Sequence, residues 1–357
     1  MSNDILDADI EFIRGNAKKA LLKKGYFAFT KSIGSRFPEV NRKGKDPKKT
    51  VTHFVVRTEH LVSVKQKLTA EYGSGIRFEA GGRIVILVGH ENENRLKFPK
   101  TFNELMGYFS SENTYYRGHP DAAWQLYPSV FREDRARRES EFLYKAITYR
   151  PGEFSTTQSA FEILVKMQHY EIPTRLIDVS MSPLIALYFA MENQNDVGCL
   201  YVFKPDAKIR KKFYSLSVSL ISNLAKFGRE FTGAKYQWEI AKEFPLFKLR
   251  AKAVEKTLSG SFFVDPRRDN PRILMQKGAF IVVGSKSSYN ETTRKYTREH
   301  YTASIDDIER KALKIFLPKI LKREIREKLK LLGFNHSDIF PDLNRIGKEV
   351  IESEPDF

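Results

Sequence analysis

The chain has 357 residues, a formal net charge of +17 and a single cysteine. That length supplies two or three structural units with ample buried core, and 41% hydrophobic with 29% charged residues excludes wholesale disorder. Cys199, being alone, excludes an internal disulfide framework and any multi-cysteine zinc site.

The N-terminus, Met1-Ser2-Asn3-Asp4 onward, lacks a signal-type apolar core. The longest apolar run, Leu184–Met191, is too short to span a bilayer, so a soluble, cytoplasmic protein with no membrane partner is expected. Ile5, Leu6, Ile10, Ile13, Ala17 and Leu21 recur at near-helical spacing and predict a helix over 5–25. An apolar-free loop covers Arg42–Lys49. A strand is predicted at Val51–Arg57, a helix at Glu59–Tyr72 and a second strand at Gly82–Gly89, making 1–100 a small basic α/β region.

From residue 101 onward the pattern predicts a helix at Phe102–Ser110, a short strand at Tyr115–Gly118 and helices at Glu139–Arg150 and Ser159–Tyr170. A strand follows at Thr174–Val179. Ser182-Pro183 opens a further helix, whose continuous apolar run should be buried. Gly198–Phe203 and Gly278–Gly284 read as interior strands, and about 204–266 as a basic, aromatic-rich insertion of mostly helical character. The C-terminal part carries a strand at Leu313–Leu317, a charged helix at Lys319–Leu332 closed by Gly333, and a last helix at Asp342–Glu352. Strands and helices alternate without regular βαβ spacing, which favours α+β.

The excess charge is concentrated. Residues 12–50 hold twelve basic and two acidic side chains, and residues 204–256 hold thirteen and five. Such density suits a polyanion, with nucleic acid foremost, and Arg42, Lys43, Lys45, Lys48 and Lys49 are the candidate contacts. Phosphate loops, G-x-G-x-x-G and paired zinc-histidine spacings are absent, so no metal cofactor is expected.

Two dense segments stand out. The first is Tyr115-Tyr116-Arg117-Gly118-His119 with Trp124, Leu126, Pro128-Ser129 and Phe131-Arg132. The second is Gln168-His169-Tyr170, Pro173-Thr174-Arg175-Leu176-Ile177-Asp178, then Ser182-Pro183-Leu184 and Ala186–Ala190. In physical terms, Arg117 ends a strand beside a glycine that would let a ligand approach the backbone. Arg175 and Asp178 either pair with each other or leave Asp178 for a ligand. Trp124 and Phe131 suit the core, as do the insertion's Phe213, Tyr214, Phe227, Phe231, Tyr236 and Trp238, which otherwise suit base stacking.

These segments resemble the FRG domain family. Arg272-Ile273 through Gln276-Lys277-Gly278-Ala279-Phe280, and Leu332-Gly333 through Phe340-Pro341-Asp342-Leu343, fit it too, so the resemblance runs from about 101 to 350. The order of strands also resembles the core of ADP-ribosyltransferases of the arginine–serine–glutamate type. That likeness implies a mixed sheet flanked by helices over 101–357, and NAD as substrate. It implies that Arg117 grips the NAD phosphates or ribose and that Ser180, with Asp178, lines the nicotinamide pocket. Gln276 falls near the position of the catalytic Glu. Tyr116 or Tyr170 would stack on nicotinamide, and Gly118 and His169 complete the cofactor set. Gln276 carries no charge, so Asp178 or another carboxylate supplies it, or the chain only binds.

Together these readings imply an NAD-dependent ADP-ribosyltransferase acting on nucleic acid, RNA first, as a toxin or anti-phage effector restrained by an antitoxin-type protein. The alternatives are a non-catalytic nucleic-acid-binding sensor and a transferase with a protein acceptor.

Overall fold

A computed structural model describes residues 96–334, apart from 111, 123, 125, 133–134, 155–157, 193–196, 249 and 304, together with Ile339 and four upstream strands. Those strands, Phe27–Ala28, His53–Val55, Ile84–Leu87 and Ile76–Glu79, pair in that order as an antiparallel sheet. Two of them fall within the predicted strands 51–57 and 82–89. The helices expected over 5–25, 59–72 and 342–352 lie outside the described residues, as does the 42–49 loop with Arg42, Lys43, Lys45, Lys48 and Lys49. No helix among the described residues is long and apolar enough to cross a membrane.

The chain is mixed α+β and divides into two compact units. The first comprises Met1–Leu126, Pro183–Phe203 and Glu309–Asn335. It holds the strands Leu96–Lys97, Leu313–Leu317, Gly198–Phe203 and Tyr115–His119 in that order, the first pair parallel and the others antiparallel. Side chains alternate between the two faces of a strand. Tyr116, Leu200, Val202, Ile315 and Leu317 accordingly share one apolar face. They pack with Ala186, Leu187 and Ala190 of the helix Pro183–Ala190, and with Leu321, Ile325 and Leu329 of the helix Lys319–Leu331. Gly333 ends that last helix at φ +77, a left-handed conformation that glycine adopts without steric cost.

The second unit comprises Tyr127–Ser182, Lys204–Ile308 and His336–Phe357. Its strands run Leu176–Ser180, Gly278–Val283, Ser261–Asp265 and Arg210–Lys212, the first two pairs antiparallel and the last parallel. Leu176, Phe280, Val282 and Val264 meet Phe161, Leu164 and Met167 of the helix Ala160–His169. Ser159 caps that helix in a reciprocal capping box with Glu162, satisfying two backbone N–H groups that the first turn leaves open.

The segment 204–266 is mostly helical, as expected, but it also supplies strands to two sheets. It contains the helices Leu216–Asn223, Gly233–Ala241 and Ala251–Leu258. It also contributes Arg210–Lys212 and Ser261–Asp265 to the sheet. Glu230–Thr232 joins the hairpin Ser285–Asn290 and Lys295–Ala303 in a separate three-stranded sheet. Phe227, Phe231 and Tyr236 turn inward with Tyr296 as an aromatic core, while Tyr214 and Trp238 stay exposed. Core packing therefore takes part of this aromatic set, half-buries Phe213 against the sheet's core and leaves Tyr214 and Trp238 to solvent.

Arg175 does not pair with Asp178. Its guanidinium instead grips Glu139, with Nε donating to Oε1 at 2.7 Å and Nη2 to Oε2. Arg298 donates to the same carboxylate from Nη1 at 3.1 Å, and all three side chains are fully buried. Residues three apart in an extended segment leave on opposite faces, which separates Arg175 from Asp178. Burial would raise the Glu139 carboxyl, but the two guanidiniums outweigh it and hold the group below its ordinary 4.5.

A carboxyl depressed in the folded state stabilises fully above its unfolded value and loses that contribution as pH falls through the folded value. The wild-type urea midpoint should therefore fall below about pH 4.5. Glu139→Gln leaves two buried guanidiniums unneutralised and should cost about 3–5 kcal/mol at neutral pH, with a flatter acid limb. A wild-type midpoint in Glu139→Gln at pH 7 would refute the triad's role.

Candidate functional site

In the second unit, the helix Ala160–His169 ends at Tyr170, and Glu171 takes a left-handed turn at φ 61 that returns the chain towards Thr174. The Thr174 hydroxyl donates to Gln168 Oε1 at 2.5 Å, which leaves the Gln168 amide nitrogen to donate to Asp178 Oδ2 at 2.9 Å. Thr174 is itself pinned, because its N–H donates to Ser129 Oγ at 3.1 Å and its carbonyl accepts from the Val130 N–H. The outcome is a solvent-exposed carboxylate whose direction is set by an amide that cannot rotate away. His169 and Tyr170 follow Gln168 with rings edge to face at 5.1 Å, and Tyr170 is 52% exposed. Gln168 and Thr174 were not among the expected site residues. Their signal was the motif itself, in which a glutamine ends a helix shortly before a Thr-Arg-Leu-Ile-Asp strand.

The structure brings Ser180 and Gln276, both named by the resemblance, into direct contact. The Ser180 hydroxyl donates to the Gln276 carbonyl at 2.7 Å and accepts from the Ser182 N–H at 2.9 Å. The Met181 N–H donates to the Lys277 carbonyl at 3.0 Å, and Lys277 itself sits at φ 44. Gln276 closes the helix Pro271–Met275, and its side-chain amide donates to the Ile339 carbonyl at 3.1 Å. Both side chains are thus engaged in clamping chain ends. The contacts that the resemblance gives Ser180 and Gln276 with nicotinamide and ribose would have to be made alongside these bonds.

In the first unit, Tyr116 and Gly118 lie on the helix-covered face. Tyr116 is fully buried, and its hydroxyl donates to the Ser110 carbonyl at 2.5 Å while accepting the Ser110 N–H at 2.8 Å. A Cβ on Gly118 would stand 1.9 Å from the Ala186 carbonyl oxygen and 2.7 Å from the Ala190 nitrogen. Glycine is there so that the helix backbone can approach the strand, not so that a ligand can. Tyr116 is therefore no aromatic wall, and Gly118 no ligand seat.

Arg117 occupies the opposite face with His119 and Tyr201. Arg117 Nε donates to His119 Nε2 at 2.9 Å, and the Tyr201 ring meets the His119 ring edge-on at 5.3 Å. The Tyr201 hydroxyl donates to Glu309 at 3.4 Å, and burial together with that carboxylate raises it well above its ordinary value. Lys314 donates to the Ala122 carbonyl at 3.3 Å, and burial lowers its ammonium. Burial pushes Cys199 up to about 11, so the lone thiol stays protonated and inert. Trp124, expected in the core, is 50% exposed, whereas Phe131 is buried.

With these positions fixed, residues 112–198 match the FRG domain, a span that includes both the Tyr-Arg-Gly strand and the Gln168–Asp178 motif. The later motifs near 272–280 and 332–343 lie beyond the matched residues. No curated protein and no solved structure matches the chain.

The clamp is directly testable. Ser180→Ala leaves the Gln276 carbonyl without its donor and the Ser182 N–H without its acceptor, and should destabilise by about 1–3 kcal/mol. Urea denaturation measures this, and a change within error would show that the hydroxyl does not hold the strand ends.

Proposed function

We propose that the chain is an NAD-dependent ADP-ribosyltransferase whose acceptor is nucleic acid, RNA foremost, and that Asp178 supplies its essential carboxylate. The observation that carries this reading is the exposed Asp178 carboxylate held by Gln168 Nε2 at 2.9 Å. Cleaving the nicotinamide–ribose bond develops positive charge on the ribose, and a preorganised anion stabilises that charge without reorganisation. An isolated surface aspartate would rotate freely. This one is aimed by a glutamine, which is aimed in turn by a threonine. The match over 112–198 is to the FRG domain alone, so the transferase class rests on the resemblance of the strand order, and the charge of +17 supports a polyanionic acceptor. A transferase of this kind harms the cell that makes it, which fits a toxin or defence effector kept inactive by a protein partner.

A second reading has its own observation. Ser180 and Gln276, the residues nearest two of the transferase motifs, spend their side chains on structural bonds. That favours a non-catalytic nucleic-acid-binding protein.

Incubation with labelled NAD and total RNA, followed by separation of RNA from protein, decides between them. Label should appear in RNA. Label in protein would change the acceptor, and no label would leave the binding protein. Asp178→Asn can still accept the hydrogen bond from Gln168 through its amide oxygen while it removes the charge. It should lower transfer by about 100-fold or more with the fold intact.

The resemblance gives Arg117 the phosphate grip, which substitution tests separately. Arg117→Ala should abolish transfer, and Arg117→Lys should rescue it poorly because an ammonium lacks the bidentate fork. Wild-type transfer in Asp178→Asn would sink the carboxylate assignment, and in Arg117→Ala the phosphate assignment.

A further inference from the structure

The second unit carries a surface that the proposed chemistry does not use. Between the strand Glu230–Thr232 and the helix Gly233–Ala241 lies a cavity of about 310 Å³ lined by Lys226, Lys235, Lys295, Phe227, Phe231 and Glu230. Its apolar floor is rigid, because Phe227 and Phe231 belong to the aromatic core with Tyr236 and Tyr296. Its rim is cationic, with Lys235 and Lys295 exposed and Lys226 half-buried against Glu239. Lys235 leads out of the cavity along the helix. Residues three and seven positions further on share its face, and these are Trp238 and Lys242. Trp238 is 61% exposed, and the Lys242 ammonium stands 3.6 Å from its ring centroid. Glu239 ties the row together, accepting from Lys226 and Lys242 at 2.9 Å each. Burial would raise the Glu239 carboxyl, but the two lysines hold it below its ordinary value, so it stays an anion that orders them.

We infer that this lysine-rimmed cavity and the adjoining Lys235–Trp238–Lys242 row form a binding surface for single-stranded nucleic acid, with phosphate at the cavity rim and a base on Trp238. Charge complementarity identifies the occupant. Four lysines stand against two glutamates here, and three of the four, Lys226, Lys235 and Lys242, belong to the segment 204–256 with its thirteen basic and five acidic residues. The exposed indole distinguishes a single strand from a duplex, since only unpaired bases offer a face for stacking. The Lys242 ammonium covers one face of the indole, so a base would stack on the other. The inference rests on the proposed function only for the view that the acceptor is nucleic acid, and binding is measured without NAD.

The probes are a short fluorescent oligouridylate, the matching oligothymidylate and a duplex of the same length, titrated into the full chain at several salt concentrations. The single strands should bind more tightly than the duplex. Lys235→Glu with Lys295→Glu should weaken single-strand binding by about tenfold or more. Its log–log salt slope should become shallower by about 1.4, from roughly 0.7 for each phosphate that is no longer neutralised. Trp238→Ala should weaken binding by at least about fivefold, as expected when a base is deprived of its stacking face, whereas Trp238→Phe should stay close to wild type. Comparable binding of the duplex, or wild-type affinity and salt slope in both the charge-reversed and Trp238→Ala variants, would overturn the inference. The same variants in the labelled-NAD assay keep the two ideas apart. Failure of transfer in every form, with the binding losses intact, would remove the transferase reading and leave this surface standing.

Discussion

One carboxylate organises the second unit. Glu139 lies fully buried between Arg175 and Arg298, and removing three charges from water is tolerable because every guanidinium nitrogen finds at least one acceptor. Arg175 spends Nη1 on the Val283 carbonyl at 3.1 Å, and Arg298 spends Nε and Nη2 on the carbonyls of Phe227 and Gly228. The triad thus joins the helix Glu139–Tyr149, the start of the strand Leu176–Ser180, the end of the strand Gly278–Val283 and the turn at 227–228. Asp178 is carried on the first of those strands, and the lysine-rimmed cavity opens at that turn. The Thr-Arg-Leu-Ile-Asp motif therefore divides its labour, with Arg175 facing inward to the triad and Asp178 facing outward to solvent.

Periodic signals were legible in the sequence. Gly198–Phe203 and Leu313–Leu317 form strands over the predicted residues, and Ser159–Tyr170 forms the predicted helix with its cap and stop. The hairpin Ser285–Asn290 and Lys295–Ala303 carries no such signal. Its strands are polar, and its buried side carries Ser285, Ser287 and Arg298 as well as Tyr296, while their partner Glu230–Thr232 lies far away in sequence. Pairing partners of that kind are set by tertiary contact and leave little trace in local composition.

The candidate site is legible as residues but not as roles. Tyr-Arg-Gly reads as a ligand-binding strand end, yet alternation sends Tyr116 and Gly118 to one face and Arg117 to the other. A glycine needed for close helix packing and one needed for ligand approach look identical in sequence. Only the 1.9 Å clash with the Ala186 carbonyl tells them apart. Ser180 and Gln276 show the same limit. Their residue types speak of side-chain chemistry, whereas the bond that joins them uses the Gln276 backbone carbonyl, which no residue name encodes.

The aromatic residues of 204–266 show why composition alone could not sort core from surface. On the strand Glu230–Thr232 the period of two turns Phe231 inward and leaves Glu230 and Thr232 outside. On the following helix the period of 3.6 turns Tyr236 and Ile240 inward and leaves Lys235 and Trp238 outside. The same short stretch thereby builds a rigid aromatic floor and a cationic, indole-bearing rim from neighbouring residues. Burying Phe227, Phe231 and Tyr236 fixes the backbone from which Lys226, Lys235 and Trp238 project. A flexible lysine-rich loop would lose more conformational entropy on capturing a polyanion than side chains projecting from an ordered framework. The aromatic core therefore does more than stabilise the second unit, because it preorganises the charge presented above it.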